Sequence, residues 1–151
     1  MNEKIDIIAA GKFFVNAKET FAALQHHFEE FRRNVEKHAK NNPYFDWKVS
    51  DLTESKLSFE VEYLTLKVRV VFSIRPAFDQ QGVITFYLLD EFESSARPID
   101  SFDYDAEYGQ TGVQDKSGSM MYIAHNSHHL MTQIFRQAYE RSLIHNSGTS
   151  V

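Results

Sequence analysis

The alternation of apolar residues in 57–74 constrains the fold more than any other feature of the chain. Leu57, Phe59, Val61 and Tyr63 occupy odd positions, whereas Leu66, Val68, Val70, Phe72 and Ile74 occupy even ones. Successive side chains of a strand point to opposite faces, so a change of parity near Leu64 turns the chain over. A tight antiparallel hairpin with Leu64-Thr65 as its loop keeps every apolar residue on one face. It sets Tyr63 opposite Leu66, Val61 opposite Val68 and Phe59 opposite Val70. The other face then brings Glu62 beside Lys67 and Glu60 beside Arg69, two favourable cross-strand charge pairs. Leu-Thr lacks the Gly, Asn or Asp that two-residue hairpin loops prefer, so a single bulged strand is the competing arrangement.

Flanking strands are expected around Phe45, Trp47 and Val49, before a turn near 51–55, and around Ile84, Phe86 and Leu88, after a turn at 76–82. A fifth strand is possible near 99–105. The helical signal lies in 16–40, where Ala17, Phe21, Leu24, Phe28, Phe31 and Val35 recur at spacings of 4, 3, 4, 3 and 4. Asn16 with Glu19 makes a capping box, and Asn41-Asn42-Pro43 stops the helix. Glu29, Glu30, Arg32, Arg33, Glu36, Lys37 and Lys40 fall on its wet side.

A second helix is expected from near Ser119, with Met120, Ile123, Ala124, Leu130, Met131, Ile134, Phe135 and Ala138 on one broad side. Asn126 is an alternative cap, which would leave 120–123 as a short strand. The wide apolar arc and uncharged first half of this helix suggest cover on two sides, and a homodimer formed through it would supply the second. Residues 145–151 read as a helix stop and a polar tail. The expected fold is α+β: one compact domain over 1–151, a two-layer arrangement of a four- to five-stranded antiparallel meander against long N-terminal and C-terminal helices.

The chain has 151 residues and no cysteine, which removes disulfide frameworks, thiolate metal sites and cysteine nucleophiles. Its first eight residues carry acids ahead of a short apolar stretch, a poor export signal, so a cytoplasmic location is expected. The longest uncharged run, 117–135, contains His125, Asn126, His128, His129 and Gln133 and is not expected to enter a bilayer.

Charge is concentrated. Residues 90–107 hold seven acids (Asp90, Glu91, Glu93, Asp100, Asp103, Asp105, Glu107) and one base, Arg97, a local net of −6 against −5 for the whole chain. Phe92, Phe102, Tyr104 and Tyr108 are interleaved with them. Two readings follow: a solvated acidic loop, or an acidic and aromatic surface that docks on a basic protein, with aromatics as anchors and carboxylates steering encounter. In the second, Glu91, Glu93, Asp100, Phe102, Asp103, Tyr104, Asp105, Glu107 and Tyr108 form the partner-binding set. Asp103-x-Asp105-x-Glu107 imitates the start of a calcium loop, but Tyr108 stands where Gly is required and Gln114 where a bidentate Glu is required.

His125 and His129, four apart with His128 between them, are half of a metal site without a third ligand. They are the residues of an alternative reading, a small-ligand or metal-dependent site on the C-terminal helix. His38 falls at the margin of the first helix's stripe and carries no assigned role. There is no Gly-x-Ser-x-Gly elbow, and Gly109-Gln110-Thr111-Gly112 has neither the length nor the Lys of a phosphate loop. Basic residues alternate with acids, which disfavours nucleic acid. The sequence therefore points to a non-enzymatic binding domain of the inhibitor, immunity or chaperone-adaptor kind, with no metal, cofactor or catalytic residue expected. The subunit of a larger assembly is a further alternative.

Overall fold

The structure, a computed structural model, describes residues 7–75, 80–89 and 95–149, with side chains as far as 142. Helix α1 (Ile7–Asn41) is followed by β1 (Lys48–Val49), β2 (Ser58–Tyr63), β3 (Leu66–Arg75), β4 (Gln81–Leu89), β5 (Ala96–Tyr104), β6 (Gln110–Gln114), β7 (Met120–Tyr122) and α2 (Ser127–Thr149). Among the described residues the seven strands lie in sequence order and every neighbour is antiparallel. The α+β class and the meander are as expected from the sequence, but the sheet is larger. Seven strands form a curled sheet, a half-barrel, in place of the four or five expected, and the helices are laid out differently from the expected two-layer packing.

The hairpin forms in the register that parity and charge require: Tyr63 opposes Leu66, Val61 opposes Val68, and Phe59 opposes Val70. Leu64 takes φ 54°, the left-handed conformation, at the first loop position, where a type II′ turn takes Gly. On the outer face Arg69 reaches Glu60 at 3.1 Å as expected. Lys67 also reaches toward Glu60, at 3.9 Å, rather than toward Glu62 opposite it.

The stripe of α1 lies against the inner face of the sheet. Leu24, Phe28, Phe31 and Val35 are fully buried, and Phe28 packs between Phe59 and Phe72 with ring centroids 5.5 Å from each. Helix α1 already runs from Ile7, nine residues before the expected cap. Ala9, Ala10 and Lys12 favour helix and no proline intervenes, so propensity carries the helix past Asn16.

Of the two starts expected for the last helix, the later one forms. Met120–Tyr122 is strand β7, and the Asn126 carbonyl accepts the first helical bond from the Leu130 N–H at 3.0 Å. The broad apolar arc of α2 is covered within the chain: Leu130, Met131, Ile134, Phe135 and Ala138 are buried against α1, β3 and β5. Within the described side chains, which end at 142, that arc is thus covered by the chain's own elements. The helix also continues to Thr149, through the residues expected as a tail.

Two local devices shape β5. Between Asp100 and Pro98 the pairing with β4 slips by one residue, a bulge that leaves Ile99 buried and gives Pro98 a place inside a strand. Arg141 of α2 donates to the freed carbonyls of Pro98 and Ile99, at 2.7 and 3.0 Å. Lower on the strand, Tyr104 lies across Gly82 of β4 and donates its hydroxyl to the Leu24 carbonyl of α1 at 2.6 Å. Burial pushes the Tyr104 phenol pKa far up, so it stays a donor.

Candidate partner-binding corner

The acidic segment resolves into a strand and a turn. In β5 the alternation of a strand sorts the side chains: Phe102 and Tyr104 face the core, 9% and 1% exposed, while Asp103 points outward. The two aromatics are thus core residues and unavailable as surface anchors. Asp103 is ion-paired with Arg75 of β3. Asp100 accepts from the Ser101 N–H at 2.8 Å and from Gln137 of α2 at 3.4 Å. Glu91 and Glu93, with Asp90 and Phe92, lie outside the described residues.

Asp105 builds the turn between β5 and β6. Its carboxylate accepts the Tyr108 N–H at 2.8 Å and the Gln110 N–H at 3.4 Å, and its carbonyl accepts the Gly109 N–H at 3.1 Å. Gly109 closes the turn at φ 69°, and a Cβ there would sit 3.0 Å from the His27 ring, so both conformation and space require glycine. His27 in turn meets the Ala106 carbonyl at 2.9 Å and lies edge-on to Tyr104. The Gly109 carbonyl accepts from the Ile123 N–H at 2.9 Å. The turn is consequently held by α1 behind it and by the end of β7 beside it.

What the turn displays is Glu107 and Tyr108, both exposed, with Tyr122 of β7 nearby. Tyr108 is 64% exposed, and the hydrogen-bonded Glu107 carboxylate raises its phenol pKa, helped by Asp105. Of the nine residues in the expected set, Asp105, Glu107 and Tyr108 are brought together here. Tyr122 belongs beside them, although the sequence does not single it out. Its signal was hidden because 120–122 read as helix as readily as strand.

The histidines form a separate group where α1 meets α2. His128 lies against His38 with ring centroids 4.2 Å apart and planes tilted by 35°, and its pKa is lowered by burial first and then by His38, His129 and His125. His129 contacts Gln133 at 3.3 Å, whereas His125 is exposed. Nδ1 of His128 and Oγ of Ser127 are buried without a hydrogen-bond partner. His38 joins this group because it continues the 4,3 spacing three residues after Val35, a signal already present in the sequence. Among the described residues, no three His, Asp or Glu side chains are gathered so as to hold a metal ion, and no helix is long and apolar enough to cross a membrane.

No family model, curated protein or solved structure matches the chain, so the reading of function rests on these residues alone.

Proposed function

We propose that the chain is a non-enzymatic protein-binding domain, an inhibitor-, immunity- or chaperone-like adaptor, that engages a basic partner through the corner at the β5–β6 turn. In this reading it works in the cytoplasm, without metal or cofactor and without direct contact to nucleic acid. Tyr108 is the observation that carries the reading. A large amphipathic side chain stands in solvent on a turn already fixed by Asp105, Gly109 and His27, so little ordering entropy remains to be lost when a partner covers it. Tyrosines in such settings are common anchors of interfaces. Glu107 beside it, with Asp105 below, supplies the negative field that draws a basic surface.

The arrangement also dictates the test. Reversing Asp103 or Asp105 would disturb the pair with Arg75 or the turn itself, so the clean probes are Glu107→Lys and Tyr108→Ala. Immobilised chain carrying both changes should lose the protein that the native chain captures from cell extract. Its melting temperature should shift by no more than about 2 °C, because surface changes away from packed groups cost within about 0.5 kcal/mol. Undiminished capture would overturn the reading.

A second reading, a small-ligand site at the α1–α2 junction, draws on the unpartnered His128 Nδ1 and Ser127 Oγ beside His38 and His129. It predicts that a bound ligand moves the ring resonances of His38 and His128 in an NMR titration while those of His26 stay fixed. Displacement of His26 alone would remove it.

A further inference from the structure

The first four turns of α1 are largely exposed, yet they continue its apolar seam. From the inner stripe, Phe21, Leu24, Phe28, Phe31 and Val35, the 4,3 spacing runs back through Ala17, Phe14, Ala10 and Ile7 without a break. A strict 3.5-residue seam is what a helix presents to another helix. Below Phe21 the sheet covers it. Above, Ile7 is 82% exposed, Phe14 63% and the flanking Phe13 65%. The overhang of residues 7–20 is about 21 Å long at 1.5 Å per residue.

We infer that this overhang pairs with the same segment of a second copy, antiparallel, to make a homodimer. Three observations choose that occupant. First, the seam is complementary to itself only in one direction. Antiparallel pairing with Ile7 opposite Ala17 also sets Ala10 opposite Phe14, so every layer joins a large side chain to an alanine. A parallel pair would stack Phe14 on Phe14 and leave a gap between the facing Ala10 residues.

Second, the sheet occupies the seam side of α1 from Phe21 onward. A parallel partner would bring its own sheet into that space, whereas an antiparallel partner carries its sheet past the opposite end of the shared helices.

Third, the area is of the right size. With roughly 200 Å² for a whole Phe and slightly less for Ile, residues 7, 10, 13, 14 and 17 present about 450 Å². Two copies bury about 900 Å², close to the ~1,000 Å² of a small specific interface, which fits a dimer that dissociates on dilution. Lys12, Lys18 and Glu19 are the only charged side chains in residues 7–20, too few for the basic face of a membrane-surface helix. This dimer uses neither α2 nor the β5–β6 corner, so it stands or falls independently of the function proposed above.

Light scattering on the full chain at rising concentration should show a mass moving from 17.6 kDa toward twice that value. Phe14→Glu should hold the chain monomeric throughout. Val15→Glu, at a side chain 55% exposed but off the seam, should leave the dimer intact. Circular dichroism checks that both variants are folded.

Because the chain lacks cysteine, introduced thiols report orientation without background. Ile7→Cys combined with Ala17→Cys should give disulfide-linked dimers on mild oxidation, and Ala17→Cys alone should not. A monomer at every concentration would overturn the inference, including one that binds neutral or anionic lipid vesicles or another protein through Phe14. So would equal disruption by Val15→Glu, or cross-linking by Ala17→Cys alone.

Discussion

Gly82→Ala is the sharpest probe of how the sheet and α1 are joined. A Cβ on Gly82 would lie 2.3 Å from Cζ of Tyr104 and 2.7 Å from its hydroxyl oxygen. Carbon atoms in contact sit about 3.5–4.0 Å apart, so the ring must withdraw by roughly 1 Å or more. Behind it are His27 and Phe72, with ring centroids at 6.2 and 6.4 Å, and its hydroxyl is held to the Leu24 carbonyl at 2.6 Å. Withdrawal therefore overpacks the core, at about 1–3 kcal/mol, and frees a buried hydroxyl, at about 1–3 kcal/mol. Replacing Gly recovers about 0.4–1 kcal/mol by restricting the unfolded chain.

The net loss expected is about 2–4 kcal/mol, or a melting temperature lower by about 5–15 °C for a domain of this size. Urea unfolding followed by the fluorescence of Trp47, the only tryptophan, measures it. The control is Tyr104→Leu, which removes the ring. In that background Gly82→Ala should cost less than about 0.5 kcal/mol, so the double-mutant cycle returns a coupling of about 2 kcal/mol or more. Equal cost in both backgrounds would refute the account of Tyr104 as the strap between β5, β4 and α1.

Two further predictions concern the turn and the histidines. Leu64→Asn should raise the urea midpoint, worth about 0.5–1 kcal/mol, because Asn tolerates the left-handed φ that costs an apolar residue about 1 kcal/mol, and Leu64 is 70% exposed. An unchanged or lower midpoint would contradict it. For His128 the sign follows from linkage: its folded pKa lies below 6.5, so between those values the unfolded chain binds more protons and stability rises with pH. Stability should fall as pH drops through 6.5 toward the folded value, and His128→Asn should flatten that slope; an identical slope would show that the contact pair with His38 does not carry it.

The register of the hairpin was legible in the sequence because two independent signals, apolar parity and cross-strand charge, select it, although Lys67 reaches Glu60 rather than Glu62. Phe21 to Val35 was legible because the sheet buries a single face of that helix. The overhang was not: Ile7, Ile8, Phe13, Phe14 and Val15 surround the helix, and a seam shows only once the helix is known to continue through them. In the acidic segment the same alternation that exposed the hairpin passed for interleaving. The sequence offers Phe102 and Tyr104 as anchors among carboxylates, yet in β5 they are the inward residues whose outward neighbour is Asp103. Net charge identified the segment, but only the pairing of Arg75 with Asp103, Gln137 with Asp100, and Asp105 with its own turn separates structural acids from displayed ones. The histidine group was half legible, since α2 spacing reveals His125, His128 and His129 while His38 arrives from a helix about 90 residues earlier.

The proposed binding surface is the β5–β6 corner. Hydrogen exchange of the full chain, with and without the captured partner, tests it most directly. Binding at the corner should add protection at residues 105–110 and 120–122 and leave the β2–β3 hairpin and the α1–α2 junction unchanged. Protection confined to the α1–α2 junction, with 105–110 exchanging as freely as in the unbound chain, would contradict it.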